Sequence, residues 1–325
     1  MIDGKVFVTR ELAPAVIQRL RNEFKEVDVW EPYEPPTPAE LAKRAAGCVA
    51  LLTMVSDRVD ENLLDAAPTL KVVANMAVGY NNVDIDAATA RGILITNTPN
   101  VLEETTADMT FALMLAVARR VVESDNDTRS GNWRLWHPSL WLGNDVHGAT
   151  LGIVGLGTIG SAVARRAKGF DMHIKYTARN RRPDSEFDVG AEYVPRLDDL
   201  LGQSDFVSLH VPLTDATRDL INTPSFAAMK STAYLINTSR GDVVNTDALL
   251  AALQNGTIAG AGIDVTMPEP ILPDHPLLRQ PNLVITPHIG SATHATRSRM
   301  AMLAADNAIA VCNGTPAPSP VGGAP

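Results

Sequence analysis

Short β-rich runs alternate with helical patterns along most of this chain, and this alternation constrains the fold more than any other feature of the sequence. Five runs precede residue 100, namely KVFVT, EVDVW, CVALLT, KVVANMA and ILITNT. Strands that alternate with helices pair in parallel and are covered by helices on both faces. The first hundred residues therefore predict a doubly wound α/β sheet.

A second series of runs predicts a second doubly wound parallel sheet. Its members are ATLGIVG, MHIKYTA, DFVSLHVP, AYLINTS, GAGIDV and NLVITPH. We expect the chain to cross between domains near 97–101 and again near Pro287, after which 292–312 predicts one long helix. If that helix returns to the first domain, residues 1–99 and 288–325 form a discontinuous domain and residues 100–287 a continuous one. The tail GTPAPSPVGGAP is too rich in proline and glycine to hold regular structure.

Composition narrows the class of protein. A chain of 325 residues with 45% hydrophobic content is long enough for two domains with separate cores. Cys48 and Cys312 are its only cysteines, so no disulfide framework and no metal site is expected, and a reducing cytoplasmic compartment fits best. We expect no signal peptide and no membrane span. The net charge of −9 opposes binding of nucleic acid.

The clearest motif is a glycine loop, with Gly155, Leu156, Gly157, Thr158, Ile159 and Gly160 in GLGTIG. A GxGxxG motif alone is weak, since glycines also gather at ordinary turns, but here a buried strand precedes it and a helix follows. The first glycine permits a tight turn, the second lets the backbone approach a pyrophosphate, and the third lets the helix pack closely. The context predicts a dinucleotide site.

The next predicted strand indicates which dinucleotide is used. Enzymes that use NAD place an acidic residue near the end of this strand, where it binds the ribose 2′-hydroxyl. Here HIKYTARNRRPD has no acid before Asp184 and carries Arg179, Arg181 and Arg182. Guanidinium groups bind phosphate oxygens in pairs, so we expect NADPH to be preferred over NADH. The alternative interpretation is a solvated basic loop.

Three further side chains each follow a short apolar run: Arg240, Glu269 and His288. Each has a structural interpretation, since Arg240 could pair with Asp242 or cap a helix, Glu269 could be an exposed loop carboxylate, and His288 could be a structural histidine. The ends of strands in an open α/β sheet are where ligands bind. Behind a dinucleotide loop, a guanidinium, a carboxylate and an imidazole predict a site that reduces a 2-oxo acid.

With these motifs the chain resembles the D-isomer-specific 2-hydroxyacid dehydrogenases, and within them the glyoxylate/hydroxypyruvate reductases. The resemblance covers nearly the whole chain and rests on NMAVGYNNVDI, GLGTIG, INTSRGDVVN, GIDVTMPEP and TPHIGS. It implies a Rossmann cofactor domain, a discontinuous flavodoxin-like substrate domain, an active site in the cleft and a homodimer formed through the cofactor domains.

The resemblance also implies roles for individual residues. Arg240 would bind the substrate carboxylate, His288 would protonate the ketone oxygen, and Glu269 would hold the imidazole. The backbone amides of Val78 and Gly79 would also bind the carboxylate. Further residues would line the cofactor: His210, Pro212, Thr238, Asp264 and Gly290. For Asp264, which ends a buried strand, a structural role is the alternative.

The segment GNWRLWHPSLWLGND holds three of the four tryptophans. These are expected to be core or interface aromatics. The sharper hypothesis places Trp141 at the rim of the substrate pocket.

Alternatives within the family remain open. A reductase or dehydrogenase for 2-ketogluconate, D-lactate or phosphoglycerate fits the same motifs, whereas the acid at Glu269 argues against formate dehydrogenases, which carry an amide there. Some relatives use this fold as a dinucleotide-sensing corepressor, a scaffold that binds protein partners. The arginines and the TMPEP loop favour reduction of glyoxylate and hydroxypyruvate.

Overall fold

The computed structural model describes residues 1–322, which form two compact units. The first unit contains Met1–Leu102 and the chain from Ala292 onward, and the second contains Glu103–Ser291. Each unit is built on one all-parallel sheet, so the predicted α/β class with two doubly wound sheets is confirmed. The domain boundaries at 99/100 and 287/288 stay a prediction.

The first unit has five strands in the order β2-β1-β3-β4-β5, which is the flavodoxin-like order. The strands are β1 (Ile2–Val8), β2 (Phe24–Val29), β3 (Cys48–Thr53), β4 (Val72–Asn75) and β5 (Leu94–Thr96). Its helices are α1 (Pro14–Glu23), α2 (Pro38–Ala45), α3 (Glu61–Ala66), α4 (Ile85–Ala90) and a C-terminal helix (His294–Cys312). The C-terminal helix packs on α1, β3 and β4, which explains why this unit is discontinuous in sequence.

The tail after the C-terminal helix pairs with the edge of this sheet. Pro320 forms an antiparallel bridge with Thr96, and the Val321 N–H donates to the Ile95 carbonyl at 2.9 Å. As predicted, the described part of the tail forms no regular helix or strand, while residues 323–325 lie outside the described range. The tail nevertheless covers backbone groups that an edge strand would otherwise expose.

The second unit has seven strands in the order β12-β11-β10-β9-β6-β7-β8. They are β6 (Thr150–Val154), β7 (His173–Thr177), β8 (Glu192–Tyr193), β9 (Phe206–Leu209), β10 (Tyr234–Asn237), β11 (Gly260–Ile263) and β12 (Leu283–Ile285). Counted from β6 this is the Rossmann order with one added strand, and it reverses between β6 and β9. The sequence did not predict β8, because two residues are too few to show a period.

The helices of the second unit include one whose run FALMLAVA is apolar on every helical face. They are α5 (Glu103–Ala118), α6 (Val121–Arg129), α7 (Thr158–Lys168), α8 (Pro183–Val189), α9 (Leu197–Gln203), α10 (Thr223–Ala228) and α11 (Thr246–Gln254). The apolar helix, α5, packs on α7, β10 and β11, so the core of its own unit accounts for its composition. It ends before Arg120, whose φ of 54° breaks the helix.

None of the helices in residues 1–322 combines the length and the apolar character needed to cross a membrane.

Candidate active site

Two glycines of the loop between β6 and α7 are required by the fold itself. Gly155 has a φ of +97°, and a Cβ there would lie 2.7 Å from the His210 carbonyl oxygen. A Cβ at Gly160 would lie 2.2 Å from the Gly155 carbonyl oxygen. The turn and the close approach of α7 to the strand therefore exclude larger residues at both positions.

Gly157 is different, because no contact within residues 1–322 requires glycine at this position. Its φ of −83° suits any residue, and a Cβ there would meet no atom of the described residues within 4 Å. It is the N-cap of α7, and no side chain caps that helix end. Within the loop Leu156 is buried, Ile159 is half-buried, and Gly157 and Thr158 are exposed. A phosphate at this helix N-terminus would use the space that a Cβ would fill, so the residues present fit a dinucleotide.

The three arginines after β7 are not equivalent. Arg181 donates through Nε and Nη2 to the two carboxylate oxygens of Glu186, at 2.7 and 2.9 Å. The Tyr176 hydroxyl also donates to Glu186, and the Arg181 and Tyr176 hydrogen bonds lower the pKa of Glu186. Arg179 and Arg182 are exposed, and within residues 1–322 their side chains have no carboxylate partner. The sequence signal for this difference was the acid five residues after Arg181.

Glu269 and His288 come together although they are 19 residues apart. The His288 Nδ1 lies 2.5 Å from Glu269 Oε1, and the Thr266 N–H donates to Glu269 Oε2 at 3.4 Å. Burial opposes ionisation of Glu269, but the hydrogen bond and charge of His288 and the charge of Arg240 together lower its pKa. Glu269 is thus an ionised carboxylate in contact with the imidazole, and it leaves Nε2 as the ring nitrogen for chemistry.

Arg240 lies three residues after the end of β10 and is half-buried. Burial disfavours its charged form and lowers its pKa, while the Glu269 carboxylate opposes that effect. Its Nη1 donates to the Ser239 carbonyl at 2.7 Å, and its side chain does not cap the 3₁₀ turn that follows. Asp242, the ion-pair partner considered from the sequence, pairs with Arg218. The guanidinium therefore acts electrostatically on the same carboxylate that contacts His288.

Asp264 organises the loop that carries His288. Its Oδ1 accepts hydrogen bonds from the Thr286 hydroxyl at 2.6 Å and the Ile289 N–H at 2.8 Å, and its Oδ2 accepts from the Gly290 N–H at 2.7 Å. Its carbonyl accepts from the His288 N–H at 2.9 Å. This set of bonds fixes His288 in a left-handed conformation with φ of 56°. The structural alternative for Asp264 is thus observed, and its contact with the cofactor stays a prediction.

Thr286 is a residue that sequence reasoning missed. The signal in the sequence was a hydroxyl residue directly after the apolar run of β12, two residues before His288.

His210, Pro212 and Thr238 lie after β9 or β10, at the carboxyl ends of strands where ligands bind in such sheets. Burial lowers the pKa of His210 to about 3, and its Nε2 lies 2.8 Å from the Ser208 hydroxyl oxygen. A neutral histidine fits the predicted role of lining a groove rather than moving protons. Thr238 Oγ1 lies 3.0 Å from Thr110 Oγ1 on α5. Their contacts with a cofactor stay predictions.

The remaining predicted residues lie elsewhere. Val78 and Gly79 follow β4 in the first unit and are half-buried. Trp141, in the second unit, is half-buried beneath the Arg120 guanidinium, whose central carbon lies 4.8 Å from the ring centroid. Trp133 and Trp136 are 64% and 79% exposed, so they are not core residues of this chain.

Comparison with known proteins finds similar sequences and structures over nearly the whole chain. Residues 111–290 match the family model described as D-isomer specific 2-hydroxyacid dehydrogenase, NAD binding domain. The chain is 53% identical to a glyoxylate reductase of Korarchaeum cryptofilum over 95% of this chain and 93% of the relative. It is 51% identical to a glyoxylate reductase of Pyrococcus horikoshii, over 95% and 93% of the two chains.

A solved structure of an NADPH-dependent glyoxylate/hydroxypyruvate reductase from Sinorhizobium meliloti, in complex with NADP and malonate, superposes with a TM-score of 0.84. That protein is 35% identical, and the match covers 98% of this chain and 97% of the other.

Proposed function

Because this chain belongs to the D-isomer specific 2-hydroxyacid dehydrogenase family, whose members are NAD(P)-dependent enzymes, we propose that it reduces glyoxylate and hydroxypyruvate to 2-hydroxy acids with NADPH. The observation that carries the proposal is the 2.5 Å contact between His288 and Glu269 in the unit that holds the glycine loop. The charge of Arg240 on the same carboxylate completes a set of groups suited to a small oxo acid.

Each member of this set has a distinct role in the proposed reaction. Arg240 binds the substrate carboxylate through two parallel N–H groups and withdraws electron density from the ketone. His288 donates its proton from Nε2 to the ketone oxygen. General-acid catalysis of this kind increases the reaction rate by about 10²–10⁴-fold. Glu269 contacts Nδ1 and so fixes the orientation and the tautomer of the ring. The reduced nicotinamide, when bound, supplies the hydride.

We also propose that two backbone N–H groups of the first unit, those of Val78 and Gly79, bind the substrate carboxylate. Trp141 is proposed as a residue at the rim of the substrate pocket.

The preference for NADPH is proposed from the loop after β7. Arg179 and Arg182 have guanidinium groups that no carboxylate of residues 1–322 neutralises, and no acid occupies the usual ribose position. Charge-assisted hydrogen bonds of this kind contribute about 1.5–3 kcal/mol, enough for a tenfold preference or more. One similar solved structure is of an NADPH-dependent enzyme, which supports the same choice.

The first test is the initial rate of NADPH oxidation with glyoxylate and with hydroxypyruvate, with NADH measured beside it. We expect rapid turnover of both substrates and a higher kcat/KM with NADPH. His288→Asn should lower kcat by about 10² or more, since the proton donor is lost, while the Kd for NADPH stays within about twofold.

His294→Asn is the matched control, because His294 is exposed on the first turn of the C-terminal helix and should leave the rate unchanged. Undiminished turnover in His288→Asn would contradict the acid assignment. If the enzyme turns over D-lactate or 2-ketogluconate but neither glyoxylate nor hydroxypyruvate, the proposed substrates are wrong.

A further inference from the structure

The segment after β5 holds two consecutive carbonyl groups of the loop after β4. The Thr98 N–H donates to the Ala77 carbonyl at 2.9 Å, and the Asn97 side-chain amide donates from Nδ2 to the Val78 carbonyl, also at 2.9 Å. In a planar trans peptide the carbonyl and the N–H of the next residue point in opposite directions. The two bonds therefore orient the N–H groups of Val78 and Gly79 away from the segment after β5.

A third carbonyl of this loop is held in the same way. The Asn75 amide donates from Nδ2 to the Gly79 carbonyl at 3.1 Å, and Asn75 itself is fully buried. The N–H groups of Val78 and Gly79 donate to no acceptor within residues 1–322. Two successive N–H groups that point away from the segment after β5 and have no acceptor within residues 1–322 are available to bind an anion.

Asn97 is in turn anchored by the C-terminal tail. The Ser319 hydroxyl donates to the Asn97 carbonyl at 2.7 Å, and the Asn97 N–H donates to the Ser319 carbonyl at 3.2 Å. Asn307, fully buried on the C-terminal helix, donates from Nδ2 to the Ser319 hydroxyl at 2.8 Å and accepts the Ser319 N–H at 2.9 Å. A continuous set of hydrogen bonds thus runs from the tail through Asn97 to the Val78 carbonyl.

We propose that Asn97 is a positioning residue for the substrate carboxylate, and that the tail residue Ser319 keeps Asn97 in place. Asn97 acts through the Val78–Gly79 peptide and does not itself contact the reacting atoms. This inference rests on the proposed function, in which the Val78 and Gly79 amides bind the carboxylate. The carboxylate has the same charge in the substrate and the transition state, so loss of this positioning raises KM and leaves kcat nearly unchanged.

Three variants test the proposal. Asn97→Ala removes the donor to the Val78 carbonyl, and we expect the KM for glyoxylate to rise about tenfold while kcat stays within about threefold. Asn97→Asp keeps the shape but places an acceptor against that carbonyl, so KM should rise at least as much. Ser319→Ala leaves Asn97 intact and should raise KM by about threefold. The Kd for oxamate, an unreactive carboxylate analogue of glyoxylate, should rise by the same factors in the NADPH complex.

The controls separate positioning from a general loss of structure. Asn313→Ala, at the exposed end of the C-terminal helix, should leave KM unchanged. The Kd for NADPH should stay within about twofold in all variants. If folded Asn97→Asp keeps the wild-type KM for glyoxylate and the wild-type Kd for oxamate, the proposal is wrong. The proposal is also wrong if the Kd for NADPH rises by the same factor as the Kd for oxamate.

Failure of the proposed function would look different. Wild-type enzyme that does not reduce glyoxylate refutes that function, and the oxamate Kd values then decide on Asn97 without turnover. If Asn97→Ala does not fold, Ser319→Ala carries the same decision.

Discussion

Arg181 and Glu186 form a two-bonded ion pair that changes how the basic loop after β7 is expected to bind phosphate. The carboxylate neutralises one of the three guanidinium charges and also accepts the hydroxyl of Tyr176, whose ring is buried. Glu186 therefore links α8 to β7, since Tyr176 lies on β7 and Glu186 lies on α8. The positive charge available to a ribose 2′-phosphate comes mainly from Arg179 and Arg182.

This assignment predicts unequal effects of three single substitutions. Arg179→Ala and Arg182→Ala should each raise the Kd for NADPH by about tenfold and change the Kd for NADH by less than about twofold, because only NADPH carries the extra phosphate. Arg181→Ala should change the NADPH/NADH ratio by less than about threefold, since its charge is already paired. Fluorescence titration of both cofactors measures these constants. A larger loss of preference in Arg181→Ala than in Arg179→Ala would show that the pair with Glu186 opens on binding.

At the scale of elements, the glycines of the turn between β6 and α7 have different roles, although they belong to one sequence motif. Gly155 and Gly160 are surrounded by backbone, whereas Gly157 borders open space at the helix N-terminus. The first two are needed to form the β6-α7 connection. The third is needed only if another molecule approaches the backbone closely, as a pyrophosphate does.

Two alanine substitutions separate these roles. Gly157→Ala should leave the unfolding temperature within about 1 °C, because its φ suits alanine and the new methyl group meets no atom in the described part of the chain. The same variant should raise the Kd for NADPH by at least about tenfold, because the methyl group lies where the phosphate must approach. Gly160→Ala is the matched comparison, and it should lower stability by about 1–3 kcal/mol because its Cβ would overlap the Gly155 carbonyl. Thermal unfolding and cofactor titration give both quantities. Wild-type affinity for NADPH in Gly157→Ala would contradict the proposed phosphate position.

At the scale of the whole molecule, an apolar surface segment indicates assembly. Between 133 and 142, five large apolar side chains are 45–79% exposed: Trp133, Leu135, Trp136, Leu140 and Leu142. Exposed apolar patches with aromatic residues are typical of protein interfaces. We propose that this segment is buried in a homodimer, as the family resemblance implies.

The expected result is that the wild-type protein sediments as a dimer at micromolar concentration. Trp136→Lys combined with Leu142→Lys should halve the mass in solution, because two charges would have to be buried without partners. Phe187→Lys is the control, since Phe187 is 89% exposed on α8, outside this segment, and should leave the mass unchanged. A wild-type monomer, or a dimer that survives the double substitution, would contradict the proposed interface.

Several features of the protein could be predicted from particular residues of the sequence. The alternation of apolar runs predicted both parallel sheets, because a buried strand flanked by a helix leaves a local pattern. GLGTIG predicted the turn after β6 for the same reason, since its glycines serve contacts within one strand-turn-helix unit. The residue types of Arg240, Glu269 and His288 predicted a site that reduces a 2-oxo acid, and the structure places Glu269 in contact with His288. The strand β8 could not be predicted, because its two residues are too few to show a period.

Only the tertiary structure decided which residues far apart in sequence form hydrogen bonds with each other. Ser319 and Asn97 are 222 residues apart, and Asp264 meets Gly290 across 26 residues. No periodicity relates such positions, since they become neighbours only when strands and helices pack. By itself the sequence determined every strand except β8, the glycine turn and which side chains are proposed as reactive, because those depend on local pattern and residue type. The packed sheets decided which carboxylate holds which loop, because hydrogen bonding requires distances that only the folded chain sets.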